Sequence, residues 1–254
     1  MLAQRGMETI DLNKSKESGF MGVYSNKQIR QAIKEGHIIC HPLVPANIAG
    51  SSLDVTLGEW FYRTERTGSS GFYNPFDKDD VGRYFDGPYR AQMHQKWAKA
   101  NGRQLFSGIP SSHLIIVLRP GERILAHTHE FIGIKAPGTS TLQARSTWGR
   151  NGVAACLDAG WGDPGYINRW TLEVYNMNQH ESMVLPVGER IAQMVFYETG
   201  PVDSEYKRLS GKYQPGTSAD LDKLVKNWRP EQMLPRAYKD KRQPPRPIKG
   251  LKKL

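Results

Sequence analysis

Cysteine is scarce. The 254 residues hold two, Cys40 and Cys156, far apart and at no metal-ligand spacing. Both are expected to be buried thiols in a reducing compartment. Long apolar runs are absent too: no window approaches the roughly 18–20 apolar residues that cross a bilayer. The first residues carry no apolar stretch of the secretory kind, so a cytoplasmic protein is expected. No GxxxxGK phosphate loop and no internal repeat occur. Acids are in deficit, 25 Asp and Glu against 35 Lys and Arg, giving a formal charge of +10. That excess points to anionic partners, nucleic acid or phosphorylated small molecules. Part of it lies in the C-terminal tail and says little about the folded core. What remains, 38% apolar and 24% charged residues, fits a soluble globular protein of one or two domains.

Residues 1–20 are polar, without period, and read as a disordered leader. SNKQIRQAIKEG (25–36) predicts a short helix with Ser25 as N-cap, Gln28 completing a capping box and Gly36 as the stop. SLDVTLG (52–58) alternates as a half-buried strand does. Residues 64–106 are rich in Gly, Asp, Lys and aromatics and poor in aliphatics. They read as an insertion on a β scaffold, with one helix over 90–102. Residues 113–134 predict two strands around Pro120-Gly121. His127 and His129 alternate in the second and are expected on one face, with no third ligand to make a metal site.

Residues 136–152 read as a loop, a short apolar-to-polar segment and then Gly149 and Gly152. INRWTLEVYNM (167–177) reads as a strand. SMVLPVGERIAQMVFYE (182–198) reads as a hairpin-like pair turning at 186–189, and LDKLVKNW (221–228) as a short helix. Short strands between Gly/Pro turns argue for an all-β barrel or sandwich. The expected layout is a leader, one domain over 21–225 containing the insertion, and a solvated basic, proline-rich tail over 226–254. Nucleic acid is expected, if anywhere, on that tail.

The stretch from Arg145 to Asn176 concentrates the chemistry. Glu173, in TLEVY, is an acid in a strand that looks buried on both faces. Such an acid is costly unless it is paired or belongs to a site. Burial would raise its pKa and suit it to proton transfer near neutrality, though a structural salt bridge would serve equally well. Asp163 lies in a Gly-Asp-Pro-Gly turn, where local hydrogen bonding also explains an aspartate. Arg145 and Arg150 carry guanidinium forks suited to phosphate, Ser146 adds a hydroxyl between them, and the nearby glycines let backbone approach an anion. Together these residues suggest an anion pocket with a candidate catalytic carboxylate.

Six blocks follow one another in a known order. They are the helix with SLDVTLG, then LAHTHEFIGI, ARSTWGR, AGWGDPGYxxxxTLEVYN, GERIAQMVF and GKYQ. Over residues 21–63 and 112–216 the chain resembles the dCTP deaminase branch of the trimeric dUTPase-like family. The resemblance implies a mainly β fold, a distorted dUTPase-like β-barrel (β-clip) with a short N-terminal helix. It also implies a homotrimer with sites between subunits. Glu173 would activate water for attack on C4 of cytosine, with Ser146 and Arg150 orienting the glutamate, water and base. No zinc would take part, unlike in the zinc deaminases.

By the same resemblance the run Arg145, Ser146, Thr147, Trp148, Gly149 and Arg150 would hold phosphates, with Mg²⁺ bound through those phosphates. Asp163 would meet the 3′-hydroxyl, in a pocket shared with Ala159 and Tyr166. Thr171, Leu172 and Glu173 would read the base, partly through backbone groups. Gln193, Tyr206 and Lys212 would complete the sugar and phosphate contacts.

Ala159-Gly160-Trp161 resembles the bifunctional members, which also cleave the triphosphate. There Asp163 would place the water that attacks the α-phosphate, releasing dUMP and pyrophosphate. Trp148, Asp158 and Gly216 depart from the family pattern, and the insertion has no counterpart in it. These departures leave open a modified cytosine or another phosphorylation state as substrate. The competing readings are a dUTPase without deamination and, from another class, a nucleotide-responsive binding protein.

Overall fold

Ser25 caps the first helix as its sequence predicts. Its hydroxyl accepts from the Gln28 N–H, and the Gln28 side chain accepts from the Ser25 N–H at 2.9 Å. The computed structural model describes residues 22–64, 71–157, 159–203, 213 and 220–240. Helix α1 (Asn26–Lys34) buries Ile29 and Ala32. Strands β1 (Ile38–His41), β2 (Ile48–Ala49), β3 (Ser52–Thr56) and β4 (Trp60–Thr64) follow. Then come α2 (Lys78–Tyr84), β5 (Phe85–Arg90), β6 (Gln92–Met93) and α3 (His94–Ala100). Strands β7 (Leu114–Leu118), β8 (Arg123–Ile134) and β9 (Gly138–Ala144) lead into the short helix α4 (Ser146–Arg150). The rest comprises β10 (Val153–Ala154), β11 (Trp161–Gly162), β12 (Asn168–Asn176), β13 (Met183–Pro186), β14 (Arg190–Glu198) and α5 (Leu221–Asn227).

The expected mainly β class is borne out. One sheet runs β10-β12-β8-β4-β5, with β1 also on β8; a second runs β11-β9-β14-β3-β2; a third is β13-β7-β6. The main core gathers Leu53, Val55, Ile124, Ala126, Ile132, Leu172, Val174, Met194 and Phe196, among others. A second apolar cluster lies on the opposite face of the first sheet. It joins Tyr62, Leu125, Phe131 and Ile167 to Val81 and Phe85 from the 64–106 stretch and to Leu224, Trp228 and Met233 near the C-terminus. The first sheet is therefore covered on both faces, and the strand that carries Glu173, β12, lies within it between β10 and β8.

Several expectations need correction. The described part of the 64–106 stretch pairs with the scaffold through β5 on β4 and β6 on β7, and its expected helix needs adjustment. The helix expected over 90–102 is shortened to α3, because Gln92 and Met93 are taken into a ladder. Residues 138–144 form a full strand against β14, and Ser146–Arg150 form a helical turn rather than a loop. The supposed hairpin at 182–198 does not pair: β13 joins β7, while β14 joins β9 and β3. Periodicity finds strands but does not choose their partners.

His127 and His129 do not share a buried face. Between Thr171↔His127 and Arg169↔Phe131 the ladder advances four residues on β8 against two on β12. That irregularity breaks the alternation, leaving His127 1% exposed while His129 faces solvent. The supposed tail is packed as far as residue 240: Trp228 and Met233 are buried. The apolar residues among its charges are what hold it down. Both cysteines are free and half-buried rather than buried.

Candidate functional site

Strand β12 alternates strictly. Asn168, Trp170, Leu172, Val174 and Asn176 are buried, and Arg169, Thr171, Glu173 and Tyr175 are half-buried. The strand is therefore not equally apolar on both faces, and Glu173 stands on the polar one. That face opens into a cavity of about 530 Å³ lined by Glu173, Thr171, Asp163, Ala159, Trp161 and Tyr166. Five expected site residues thus meet there, joined by Trp161 of the Ala159-Gly160-Trp161 motif. Leu172 is expected at the site as well, but its side chain is fully buried in the main core. Only its backbone is left for recognition.

The Asp163 end is set by a turn. The Tyr166 N–H donates to the Asp163 carbonyl at 2.9 Å, Pro164 takes the second position, and Gly165 the third at φ +83°. This is the pattern of a type II turn. The turn docks against β8, where a Cβ on Gly133 would lie 2.0 Å from the Tyr166 carbonyl oxygen. Gly160 has a similar role, since a Cβ there would lie 2.4 Å from the Leu142 carbonyl. The glycine after Ala159 thus lets the cavity wall lie flat on β9.

Four acids in the fold can be compared. Glu130 accepts from the Thr56 N–H at 2.9 Å and the Thr56 hydroxyl at 2.7 Å. Glu122 is held by Arg63 and Arg119. Asp54 pairs with Arg145 and, at 3.1 Å, with Arg190. Glu173 differs: among the described residues it is the only acid with a buried oxygen, Oε2, that has no hydrogen-bond partner. Burial pushes its pKa up, while its own backbone N–H and the charge of Arg123 pull the other way. The result is a carboxyl group able to take and return a proton. Tyr73 shows the same pattern, with a buried hydroxyl that lacks a partner at the same cavity.

The remaining expected residues do not reach this cavity within one chain. Ser146, Thr147, Gly149 and Arg150 are exposed on α4. Arg145 caps that helix and is turned to Asp54. The Trp148 indole N–H donates to the Arg190 carbonyl at 2.9 Å, pinning α4 to the end of β14. Gln193 lies across from Asp54 and Gln143 in the second sheet. Tyr206 and Lys212 lie outside the described residues, as do Asp158 and Gly216. Among the described residues no three His, Cys, Asp or Glu side chains gather as a metal cluster.

Several lining residues are not singled out by the sequence reading, although one of them, Tyr213, lies in the GKYQ block. Tyr73, Pro75 and Phe85 come from the 64–106 stretch, and Tyr213, Met233 and Pro235 from the C-terminal segment. Asn168 Nδ2 donates to the Tyr213 carbonyl at 2.8 Å, and the Tyr213 hydroxyl accepts from the Arg236 N–H at 3.2 Å. Arg123, Leu125 and Trp170 complete the lining. Asp54 does carry a signal, the same one as Glu173: an acid in an apolar strand.

The sequence pattern described as dCTP deaminase-like matches residues 23–199. A Methanopyrus kandleri protein named "dCTP deaminase, dUMP-forming" is 32% identical over 199 residues, covering 76% of this chain and 91% of its own length. A Nanoarchaeum equitans protein of the same name is 27% identical, covering 80% of this chain and 98% of its own. The solved Agrobacterium tumefaciens 2′-deoxycytidine 5′-triphosphate deaminase covers 75% of this chain at 16% identity, with a TM-score of 0.49. With the matched pattern spanning well over half of its length, the chain belongs to the dCTP deaminase-like family.

Proposed function

We propose that the chain is an enzyme that deaminates dCTP and carries the product on to dUMP and pyrophosphate. The observation that carries this reading is the unpartnered Oε2 of Glu173, buried at a cavity that Asp163 also lines. Glu173 takes a proton from water as the water oxygen bonds to C4, and delivers it to N3. It then passes the remaining hydroxyl proton to the amine, the C4–N bond breaks, and ammonia leaves. A raised pKa suits a group that must alternate between base and acid in one turnover.

Asp163 receives the sugar end and positions the water that attacks the α-phosphate. The dUMP-forming names of the relatives and the Ala159-Gly160-Trp161 wall both support this second step. Ser146 and Arg150 are exposed on α4, away from Glu173 of their own chain. A second copy supplies them, so the working unit is an oligomer, which we take to be a homotrimer. Mg²⁺ fits as an ion carried on the substrate phosphates, since the donors offered here are single carboxylates rather than a cage. When bound it screens the triphosphate charge. Arg145 and Arg150 are the cations available to the same phosphates. Deamination itself uses no zinc in this scheme, and the enzyme works in the cytoplasm.

Incubation of purified protein with dCTP and Mg²⁺, followed by separation of products, tests the proposal. The expected products are dUMP, pyrophosphate and ammonia. Accumulation of dUTP alone would remove the second step, and unchanged dCTP at high enzyme concentration would sink the proposal.

A further inference from the structure

Two cavities meet at Arg123. The first, of about 530 Å³, contains Glu173. The second, of about 720 Å³, is lined by Thr64, Tyr84, Arg119, Leu157 and Tyr175, among others. Among the described residues Arg123 alone lines both. The walls also continue from one cavity to the other. Glu173 and Tyr175 are neighbours on one face of β12, about 7 Å apart along the strand. Across the ladder they face Leu125 and Arg123. Tyr73 of the first cavity is stacked on Tyr84 of the second, with ring centroids 4.3 Å apart. The reaction above makes no use of the second cavity.

Its lining mixes hydroxyls and apolar groups with one carboxylate, Glu122, and two guanidinium groups, Arg119 and Arg123. Thr64, Tyr84 and Tyr175 bring hydroxyls. Arg119 is engaged with Glu122. Arg123 is not so engaged: its one side-chain hydrogen bond among the described residues is a 3.5 Å contact from Nη2 to the Tyr84 hydroxyl. A guanidinium fork with most of its donors unspent suits a group rich in acceptors.

We propose that the second cavity is a subsite for a substituent at C5 of the pyrimidine. The preferred substrate is then a cytosine nucleotide with a polar group there, hydroxymethyl or carboxyl. The inference rests on Glu173 facing C4, as proposed above. With the sugar toward Asp163 and C4 at Glu173, the reacting carbon is flanked by N3, which takes a proton and carries no substituent, by the exocyclic amine, and by C5. The amine is lost, whereas a C5 group stays on the ring and meets Arg123. Atoms balance as for cytosine: the water oxygen bonds to C4, the C4–N bond breaks, and the two water protons end on N3 and on ammonia. The C5 group is unchanged.

The test compares kcat/KM for dCTP, 5-hydroxymethyl-dCTP and 5-carboxy-dCTP. Leu157→Trp fills the second cavity from a side chain that is 50% exposed and does not line the first. Thermal melts of each variant confirm folding. At least one substituted nucleotide is expected to exceed dCTP by about tenfold in the unmodified protein. Leu157→Trp should erase that preference while leaving dCTP turnover within about twofold, and Arg123→Gln should lower the substituted-to-dCTP ratio about tenfold. Preference for dCTP, or a preference for a substituted nucleotide that both variants leave unmoved, overturns the subsite alone. Loss of turnover on all three cytosine nucleotides overturns the placement of C4 at Glu173, and the subsite with it.

Discussion

The Trp228 indole lies against the His127 imidazole, with ring centroids 4.7 Å apart at 49°. This contact joins the segment after α5 to the strand opposite Thr171. The same indole covers the Arg169 guanidinium at 4.7 Å, with Phe131 on that guanidinium at 5.0 Å. The segment so held supplies Met233 and Pro235 to the Glu173 cavity. The C-terminal packing and the site are therefore mechanically one structure.

Trp228→Ala removes this anchor. A loss of about 3 kcal/mol is expected, as for a buried aromatic cut to alanine. Denaturant titration reads that loss. At temperatures where the variant is folded, KM should rise more than kcat falls, because the cavity wall rather than the proton shuttle has been loosened.

Glu173→Gln should cut deamination by at least about a hundredfold while nucleotide binding survives, the scale of a lost general acid–base group. The sign of the pH effect is fixed by burial. Protonation of Glu173 is favoured in the fold, so the active carboxylate appears only above the ordinary glutamate range, and the acid limb of kcat/KM should lie there. The same raised pKa stabilises the fold at low pH and is lost as pH rises. The Gln variant should thus melt higher than the parent at pH 8, with the gap closing as pH falls.

His127 titrates in the opposite sense. Burial is the largest cause that lowers its pKa, to about 3, and Arg169 and His129 add to it. Its neutral ring accepts from the Trp60 N–H at 3.2 Å and donates to the Thr128 carbonyl at 2.8 Å. A depressed histidine contributes stability above its unfolded pKa of about 6.5 that is lost as pH falls from there toward 3. The slope from this one group approaches about 1.4 kcal/mol per pH unit. Melting curves between pH 4 and 7 should show it, and His127→Gln should flatten it.

Gly58→Ala probes the same ring. A Cβ there would lie 2.0 Å from the His127 Cε1. The ring is boxed in by Trp228 and two hydrogen bonds, so it has little room to move. A destabilisation of about 2 kcal/mol is expected, the scale of an overpacked core, and a calorimetric melt would measure it.

Two inactive variants should restore each other if the site is shared between copies. Glu173→Gln and Arg150→Ala damage different residues of the same composite site. Random assortment in co-expressed oligomers leaves about one site in four intact. Activity near that share supports the shared site, and none above background would place the whole site within one chain.

Much of the candidate site is legible in the residue order. Glu173 can be singled out because an acid in an apolar strand carries a desolvation cost that needs a reason. The Gly-Asp-Pro-Gly turn and the Ser25–Gln28 capping box are local, and local chemistry settles them. The order of the blocks then supplies the family. Less is legible where distant segments meet. Asp54 is an acid in an apolar strand as Glu173 is, but only the fold brings Arg145 and Arg190 to it and so tells the two apart.

Residue order alone determined the mainly β class, the first and last helices, the Asp163 turn and the identity of the suspect glutamate. Each depends on neighbours within a few positions, where periodicity, capping and turn geometry act. Tertiary structure decided which strands pair, that Val81, Phe85, Trp228 and Met233 pack on one face of the first sheet, and that Arg123 lies between two cavities. Those outcomes come from burying apolar surface between segments far apart in the chain, and local patterns do not encode which segment will do the burying.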